Sequence, residues 1–148
     1  MPTLANAANR DALIARLERL SPSAPAAWGR MTAPQMLAHC ADALRMGLGD
    51  LPVQSKHATI PRLAVFKWLF LNVLPFPKSA PTAKELISRA PEAWERERTH
   101  LIELMQRVGG DAAQSVSAEH PLFGPLTRAQ WGQLAWKHLD HHLRQFGA

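Results

Sequence analysis

Apolar residues recur along this chain at the three- and four-residue spacing of amphipathic helices, and strand-type alternation between hairpin turns is hard to find anywhere in it. In the first segment, for example, Leu13, Leu17 and Leu20 lie on one helical face. The pattern predicts helices over about residues 9–20, 32–48, 61–76, 82–108 with a break at Pro91, and 127–146. The predicted fold class is therefore all-α.

Local start signals support these helix boundaries. Asn9 is the expected cap of the first helix. Three segments have the Thr-x-x-Gln or Thr-x-x-Glu form of a capping box, in which the threonine and the residue three positions later satisfy each other's backbone N–H groups: residues 32–35, 82–85 and 127–130. Four main helices of about 15–20 residues predict a four-helix bundle with short additions, formed by a single domain over residues 1–148.

The charge distribution argues against nucleic-acid binding. The formal net charge is +5, but the basic residues are scattered along the chain, whereas a nucleic-acid footprint needs them clustered on one face among aromatic residues. The middle of the chain is locally basic, which favours an anionic ligand without identifying one. These residues are Lys56, His57, Arg62, Lys67, Lys78 and Lys84.

Cysteine and apolar content indicate a cytoplasmic protein that does not enter a membrane. The one cysteine, Cys40, excludes an internal disulfide and suits a reducing compartment, and the first residues lack the basic and apolar regions of a signal peptide. The strongest apolar run is Leu63–Phe76, which contains Lys67 and Asn72 and falls short of the about 20 apolar residues of a membrane span. It is predicted to be a buried helix or an interface helix.

Histidines give the chain its most informative pattern, since three of the seven lie within positions 138–142. His138 and His142 are one helical turn apart, so both imidazoles can reach one metal ion. On a helical wheel they form the inward pair, and His141 points away. His39 lies at the edge of the buried stripe of the second helix, where it is the natural third ligand for an open site that suits Zn, Ni or Fe. A hydrogen-bonded structural role for each histidine is the alternative.

Three segments, residues 28–39, 120–127 and 131–147, resemble the DinB/YfiT-like superfamily of metalloenzymes, in a branch described only as a domain of unknown function. The most specific match is the ending His-x-x-His-His followed by Arg and Gln, here His138 to Gln145. The resemblance implies an up-down-down-up four-helix bundle in which His39, His138 and His142 hold a divalent metal. It also implies a homodimer, for which Leu63–Phe76 is the expected interface.

Relatives in that superfamily include transferases that use bacillithiol or mycothiol and a glutathione-dependent maleylpyruvate isomerase, which implies a metal that activates a low-molecular-weight thiol. The leading hypothesis is therefore a zinc-dependent transferase or hydrolase acting on a small molecule, with His141 and His120 next to the ligands as candidates for proton transfer. The alternative is a non-catalytic bundle with a structural metal or a partner-binding role. Nucleic-acid binding through the net charge ranks third.

Overall fold

The computed structural model describes residues 1–54, 62–78, 82–110 and 119–148. These ranges contain five α-helices, one short 3₁₀ turn and no strand, which confirms the all-α prediction for this part of the chain. The helices are α1 (Ala7–Glu18), α2 (Ala33–Leu48), α3 (Ala64–Asn72), α4 (Trp94–Gly109) and α5 (Arg128–Gln145), and the 3₁₀ turn is Lys84–Leu86.

Two of the three predicted capping boxes are present. Thr32 Oγ1 accepts the backbone N–H of Gln35 at 3.3 Å, and Gln35 Oε1 accepts that of Thr32 at 2.8 Å. The same reciprocal pair joins Thr127 and Gln130 at the start of α5. Asn9 as the cap of α1 is wrong: Asn6 is the cap, and its side chain accepts the backbone N–H of Asn9 at 3.0 Å. Asn9 is thus already inside the first turn.

The segment before α4 differs from the predicted helix. Only the 3₁₀ turn forms there; Ala83 precedes the turn and makes no side-chain cap hydrogen bond, and α4 begins at Trp94. Pro91 explains the late start, because proline lacks a backbone donor and disfavours helical geometry in the residue before it. Pro61, the predicted start of the third helix, lies outside the described residues, as do Lys56 and His57 of the basic middle segment.

The core consists of two clusters of buried apolar side chains. The larger one joins α1, α2, α4 and α5, and α2 packs most extensively against α4. The smaller one gathers Met46, Leu71, Leu86, Phe123, Trp131 and Leu134, from the end of α2, α3, the 3₁₀ turn, the segment before α5 and the first half of α5. Gly47 lets these helices approach closely, since a Cβ there would lie 3.1 Å from the Trp131 ring.

The short helix α3 is mostly at the surface. Leu71 is its one buried residue, whereas Val65 is 72 % exposed and Trp68 is 59 % exposed, so the buried-helix alternative is wrong for this segment and the interface-helix alternative stays a prediction. Lys137 of α5 anchors its end by donating hydrogen bonds to the backbone carbonyls of Phe70 and Leu74. Across the described ranges, no helix combines the length and apolar character that a membrane crossing requires.

Candidate metal centre

Three histidine rings from α2 and α5 meet in one place. The Nε2 atom of His138 lies 3.0 Å from Nε2 of His39 and 3.1 Å from Nε2 of His142. One nitrogen from each of the three rings lies within 4.8 Å of the other two, and no other such group of three metal-binding side chains occurs among the described residues. The rings converge because His138 and His142 are spaced i, i+4 on α5 and because His39 lies on the buried face of α2.

A backbone carbonyl fixes the orientation of His39. This side chain is 5 % exposed, and its Nδ1 lies 3.0 Å from the carbonyl oxygen of Leu86 in the 3₁₀ turn. Because a carbonyl can only accept, the ring proton is on Nδ1. The Nε2 atom of His39 therefore presents a lone pair to the other two rings.

A glutamine fixes His142 in the same tautomer. Gln145 Nε2 donates to the carbonyl oxygen of Trp28 at 2.6 Å, which turns its Oε1 toward His142 Nδ1 at 2.8 Å. His142 Nδ1–H is the donor in that bond, so its Nε2 is again unprotonated. Gly29 makes room for the glutamine: its φ is +79°, and a Cβ there would lie 2.8 Å from Gln145 Nε2.

These assignments leave the centre rich in nitrogen lone pairs. Nε2 of His138 faces two unprotonated nitrogens, and a neutral imidazole can give one proton to one of them at most. With metal–nitrogen bonds of about 2.0–2.1 Å, a tetrahedral ion separates its nitrogen ligands by about 3.3 Å, close to the two distances from His138 Nε2 to the other rings. Metal-binding histidines also usually donate their other ring N–H to a carbonyl or similar acceptor, as His39 and His142 do.

Burial keeps all three rings neutral at physiological pH. It lowers the pKa of His39, although the Leu86 carbonyl and Asp42 act in the opposite direction. Burial, assisted by the charge of His39, lowers the pKa of His142 to about 3. The pKa of His138 is well below its ordinary value because of burial and then the charges of His142 and His39. Neutral imidazole is the form that binds a metal.

The three rings form part of the wall of a cavity of about 610 Å³. Its remaining wall is mainly aromatic and aliphatic, from α3, the end of α2, the first half of α5 and the segment around Phe76. A cavity of this volume holds a small organic molecule. A ligand there would contact the three histidines directly.

The family model described as "Protein of unknown function (DUF1569)" matches residues 5–148. The chain belongs to this family. No curated protein and no solved structure matches the chain. The family description names no activity, so inferences about what this DUF1569 protein does rest on its site.

Of the two other histidines predicted near the ligands, His141 is half-buried beside them. Its ring lies 5.1 Å from that of His142, 4.9 Å from that of Phe76 and 5.5 Å from that of Trp28, measured between centroids. Burial lowers its pKa. It lines the same cavity, but it is not among the three rings whose nitrogens converge.

His120 reaches the cavity from the segment before α5. Its Nδ1 accepts the backbone N–H groups of Leu122 and Phe123, both at 3.1 Å, within a tight turn closed by backbone hydrogen bonds between His120 and Gly124. Burial lowers its pKa to about 4. The ring is therefore neutral with its proton on Nε2, which makes it a hydrogen-bond donor.

A buried ion network supports the Leu86 carbonyl of this DUF1569 protein. Three residues after Leu86, Arg89 binds Asp42 of α2 through Nε at 3.2 Å and holds both carboxylate oxygens of Glu97 of α4. Glu97 is 2 % exposed; burial raises its pKa, but hydrogen bonds from Arg89 and the Glu92 backbone and the Arg89 charge lower it by more, so the net shift is downward. Arg89 thereby ties the segment that carries the Leu86 carbonyl to both helices.

Sequence reasoning identifies the three rings but not the groups that orient them. Leu86 and Trp28 act through backbone carbonyls, which every residue has, so no pattern of side chains reveals them. Gln145 carries a signal, because it lies three positions after His142 on the same helix face. Cys40 is fully buried against Met36, and burial raises the pKa of its thiol, so it serves as a small residue of the core.

Proposed function

We propose that this DUF1569 protein is a metal-dependent enzyme in which His39, His138 and His142 hold a divalent ion, zinc. The observation that carries the proposal is the convergence of three Nε2 atoms while the Nδ1 atoms of His39 and His142 are bound to acceptors. We further propose that residues 1–148 form one domain with the up-down-down-up bundle of the DinB/YfiT-like superfamily.

The donor set fits zinc, for which three neutral imidazoles and one open position are typical of catalytic sites. When bound, the ion would act as a Lewis acid and lower the pKa of a nucleophile. The chain itself contributes orientation and an apolar surrounding. Leu86 and Gln145 hold two of the rings in the metal-binding tautomer, and a mainly apolar wall lines the cavity beside them.

The reaction class that we propose is transfer or hydrolysis on a small molecule, with a low-molecular-weight thiol as a candidate co-substrate. The protein's single cysteine does not supply that thiol, because Cys40 is fully buried and its pKa is raised by burial. A thiol would have to enter the cavity from solution. The histidines beside the ligands, His141 and His120, are our candidates for moving protons there.

Metal stoichiometry tests the proposal directly. The protein is purified without a histidine tag, loaded with Zn²⁺ and measured by mass spectrometry beside a His39→Ala/His142→Ala variant. His100→Ala is the matched control, because His100 lies exposed on α4, away from the centre. We expect about one equivalent of metal in the wild type and in the control, and a small fraction of that in the double variant. A wild type that binds no zinc, or a double variant that keeps it, contradicts the proposed centre.

The cavity distinguishes the enzyme from a bundle with a purely structural metal. A structural zinc site is normally closed by four protein ligands, whereas these three rings face a space large enough for a substrate. A screen of thiol acceptors with zinc-loaded protein should therefore give turnover that the double variant lacks. A double variant that loses thermal stability while the zinc-loaded wild type shows no turnover across the screen would favour the structural role.

A further inference from the structure

The wall of the cavity beside the three rings carries hydrogen-bond donors and positive charge. Among the described residues that line it there is neither aspartate nor glutamate. Its side-chain cations are Arg30 and Lys78, which lie on the segments before α2 and after α3. The charged side chains among the described residues that line this space are therefore all positive.

Lys78 is positioned at the edge of the cavity by an aromatic ring. Its Nζ lies 4.6 Å from the centroid of Trp28, a cation–π contact. Trp28 in turn contacts His141, and the charge of Lys78 acts on that histidine. No carboxylate in the described ranges forms an ion pair with Lys78 or Arg30, so both charges are available to a ligand.

Several residues that line the cavity also carry hydrogen-bond donors without an acceptor in the described part of the chain. His120 lines the cavity, and since its Nδ1 accepts two backbone N–H groups, its proton is on Nε2, which has no hydrogen-bond acceptor among the described residues. The indole N–H groups of Trp28 and Trp131 are buried and also lack acceptors in the described part of the chain. Unpaired donors cost free energy, and a ligand with acceptor oxygens would relieve that cost.

The rest of the wall is strongly apolar. Phe66, Phe70, Phe76 and Phe123 supply aromatic surface, and Leu134 and Met46 supply aliphatic surface. A hydrophobic body gains free energy by leaving water for such a wall. We propose that the cavity binds a hydrophobic carboxylic acid, with its carboxylate directed to Lys78 and Arg30 and its apolar body against these rings. This assignment of a substrate class rests on the proposed function, although the binding itself uses residues outside the three histidines.

The test compares probes that share a body and differ in charge. Calorimetry measures the binding of 4-phenylbutyrate, 4-phenylbutanol and acetate to the full chain, once after chelation of metal and once after loading with Zn²⁺. We expect 4-phenylbutyrate to bind at least tenfold more tightly than the alcohol, and acetate to bind weakly because it lacks the apolar body. Equal affinities for the acid and the alcohol in both forms of the protein would overturn the assignment.

Variants locate the carboxylate. Lys78→Met combined with Arg30→Met should bring 4-phenylbutyrate down to the affinity of the alcohol, whereas Lys84→Met, which changes a lysine outside the cavity wall, should leave the acid at wild-type affinity. His120→Asn keeps an acceptor for the backbone N–H groups of the turn and removes the Nε2–H donor. It should lower the affinity for the acid by a few fold and leave the affinity for the alcohol unchanged. Full retention of the acid's advantage in the double variant would refute the proposed role of the two cations.

The two proposals fail in different ways. If the protein binds no zinc but the chelated form still prefers the acid to the alcohol, the metal centre fails and the cavity assignment holds. If zinc binds with one equivalent and neither the chelated nor the zinc-loaded form distinguishes the acid from the alcohol, the assignment of the substrate class fails alone. The metal measurement and the ligand measurement are made on the same preparations, so each outcome decides one proposal.

Discussion

Substitution of Gln145 tests most directly how the protein fixes the tautomer of a metal-binding histidine. The Gln145→Leu substitution keeps the approximate volume of a side chain that is 2 % exposed but removes both of its hydrogen bonds. His142 Nδ1–H then loses its acceptor, and the carbonyl of Trp28 loses its donor. His142 is also free to move its proton to Nε2, the nitrogen that faces the other two rings. Zinc binding would then have to reverse that change.

The structure sets the size of both effects. Leaving two buried polar groups unpaired costs about 1–3 kcal/mol each, so we expect the free energy of unfolding of the metal-free protein to fall by about 2–6 kcal/mol. Loss of a group that orients a metal-binding histidine typically weakens metal affinity about 10–100-fold, which corresponds to about 1.4–2.7 kcal/mol. The two numbers are measured separately, by urea unfolding after chelation and by competition with a zinc-binding dye.

Two controls separate the roles of Gln145. Gln130→Leu changes the same residue type on the same helix and removes the one hydrogen bond that its side chain contributes to the capping box of α5, so it should cost about 1 kcal/mol of stability with zinc affinity unchanged. Gln145→Glu keeps an acceptor for His142 but places a carboxylate oxygen against the Trp28 carbonyl. It should therefore lose stability and retain zinc affinity better than the leucine variant. Wild-type zinc affinity in Gln145→Leu would refute the reasoning that this glutamine orients His142.

Three further predictions concern the ion network and α3. Arg89→Met should lower the free energy of unfolding by about 3 kcal/mol, because it leaves the buried carboxylate of Glu97 without its arginine and leaves Asp42 with Arg45 alone, and urea unfolding measures the loss. The folded-state pKa of Glu97 is below its ordinary value, so its contribution to stability is present above the unfolded-state pKa of about 4.3 and disappears as the pH falls through the lower folded-state value. The stability difference between wild type and Glu97→Gln, followed by urea unfolding from pH 6 to pH 3, should shrink toward the acid end; a constant difference would contradict this. We expect the exposed apolar face of α3 to form the interface of a homodimer, so Val65→Glu/Trp68→Glu should convert the dimer to a monomer in light scattering. A wild-type protein that is already monomeric would contradict the predicted homodimer.

Helix-capping patterns in the sequence correctly predicted those helix starts that contacts between nearby residues determine. The boxes at Thr32 and Thr127 formed as expected because each one joins groups within four residues of chain. The box expected at Thr82 does not begin a helix, although its sequence is equally suitable. There the segment between the 3₁₀ turn and α4 is held by Arg89, whose partners Asp42 and Glu97 lie on two different helices. Tertiary contacts of that kind override local propensity, and a single sequence does not display them.

The candidate centre likewise combines features that local sequence patterns predict with features that depend on tertiary contacts. Two ligands follow from an i, i+4 spacing and the third from the buried face of α2, so the three rings can be found in the sequence. What makes them a good donor set is their protonation, and that depends on the carbonyls of Leu86 and Trp28, which lie far from the histidines along the chain. Those carbonyls are in place because Arg89 anchors one segment and Gln145 anchors the other. Neither Arg89 nor Gln145 is one of the three metal-binding histidines. Substitutions at these two residues should nevertheless lower the metal affinity, because they disturb the carbonyls that fix the histidine tautomers.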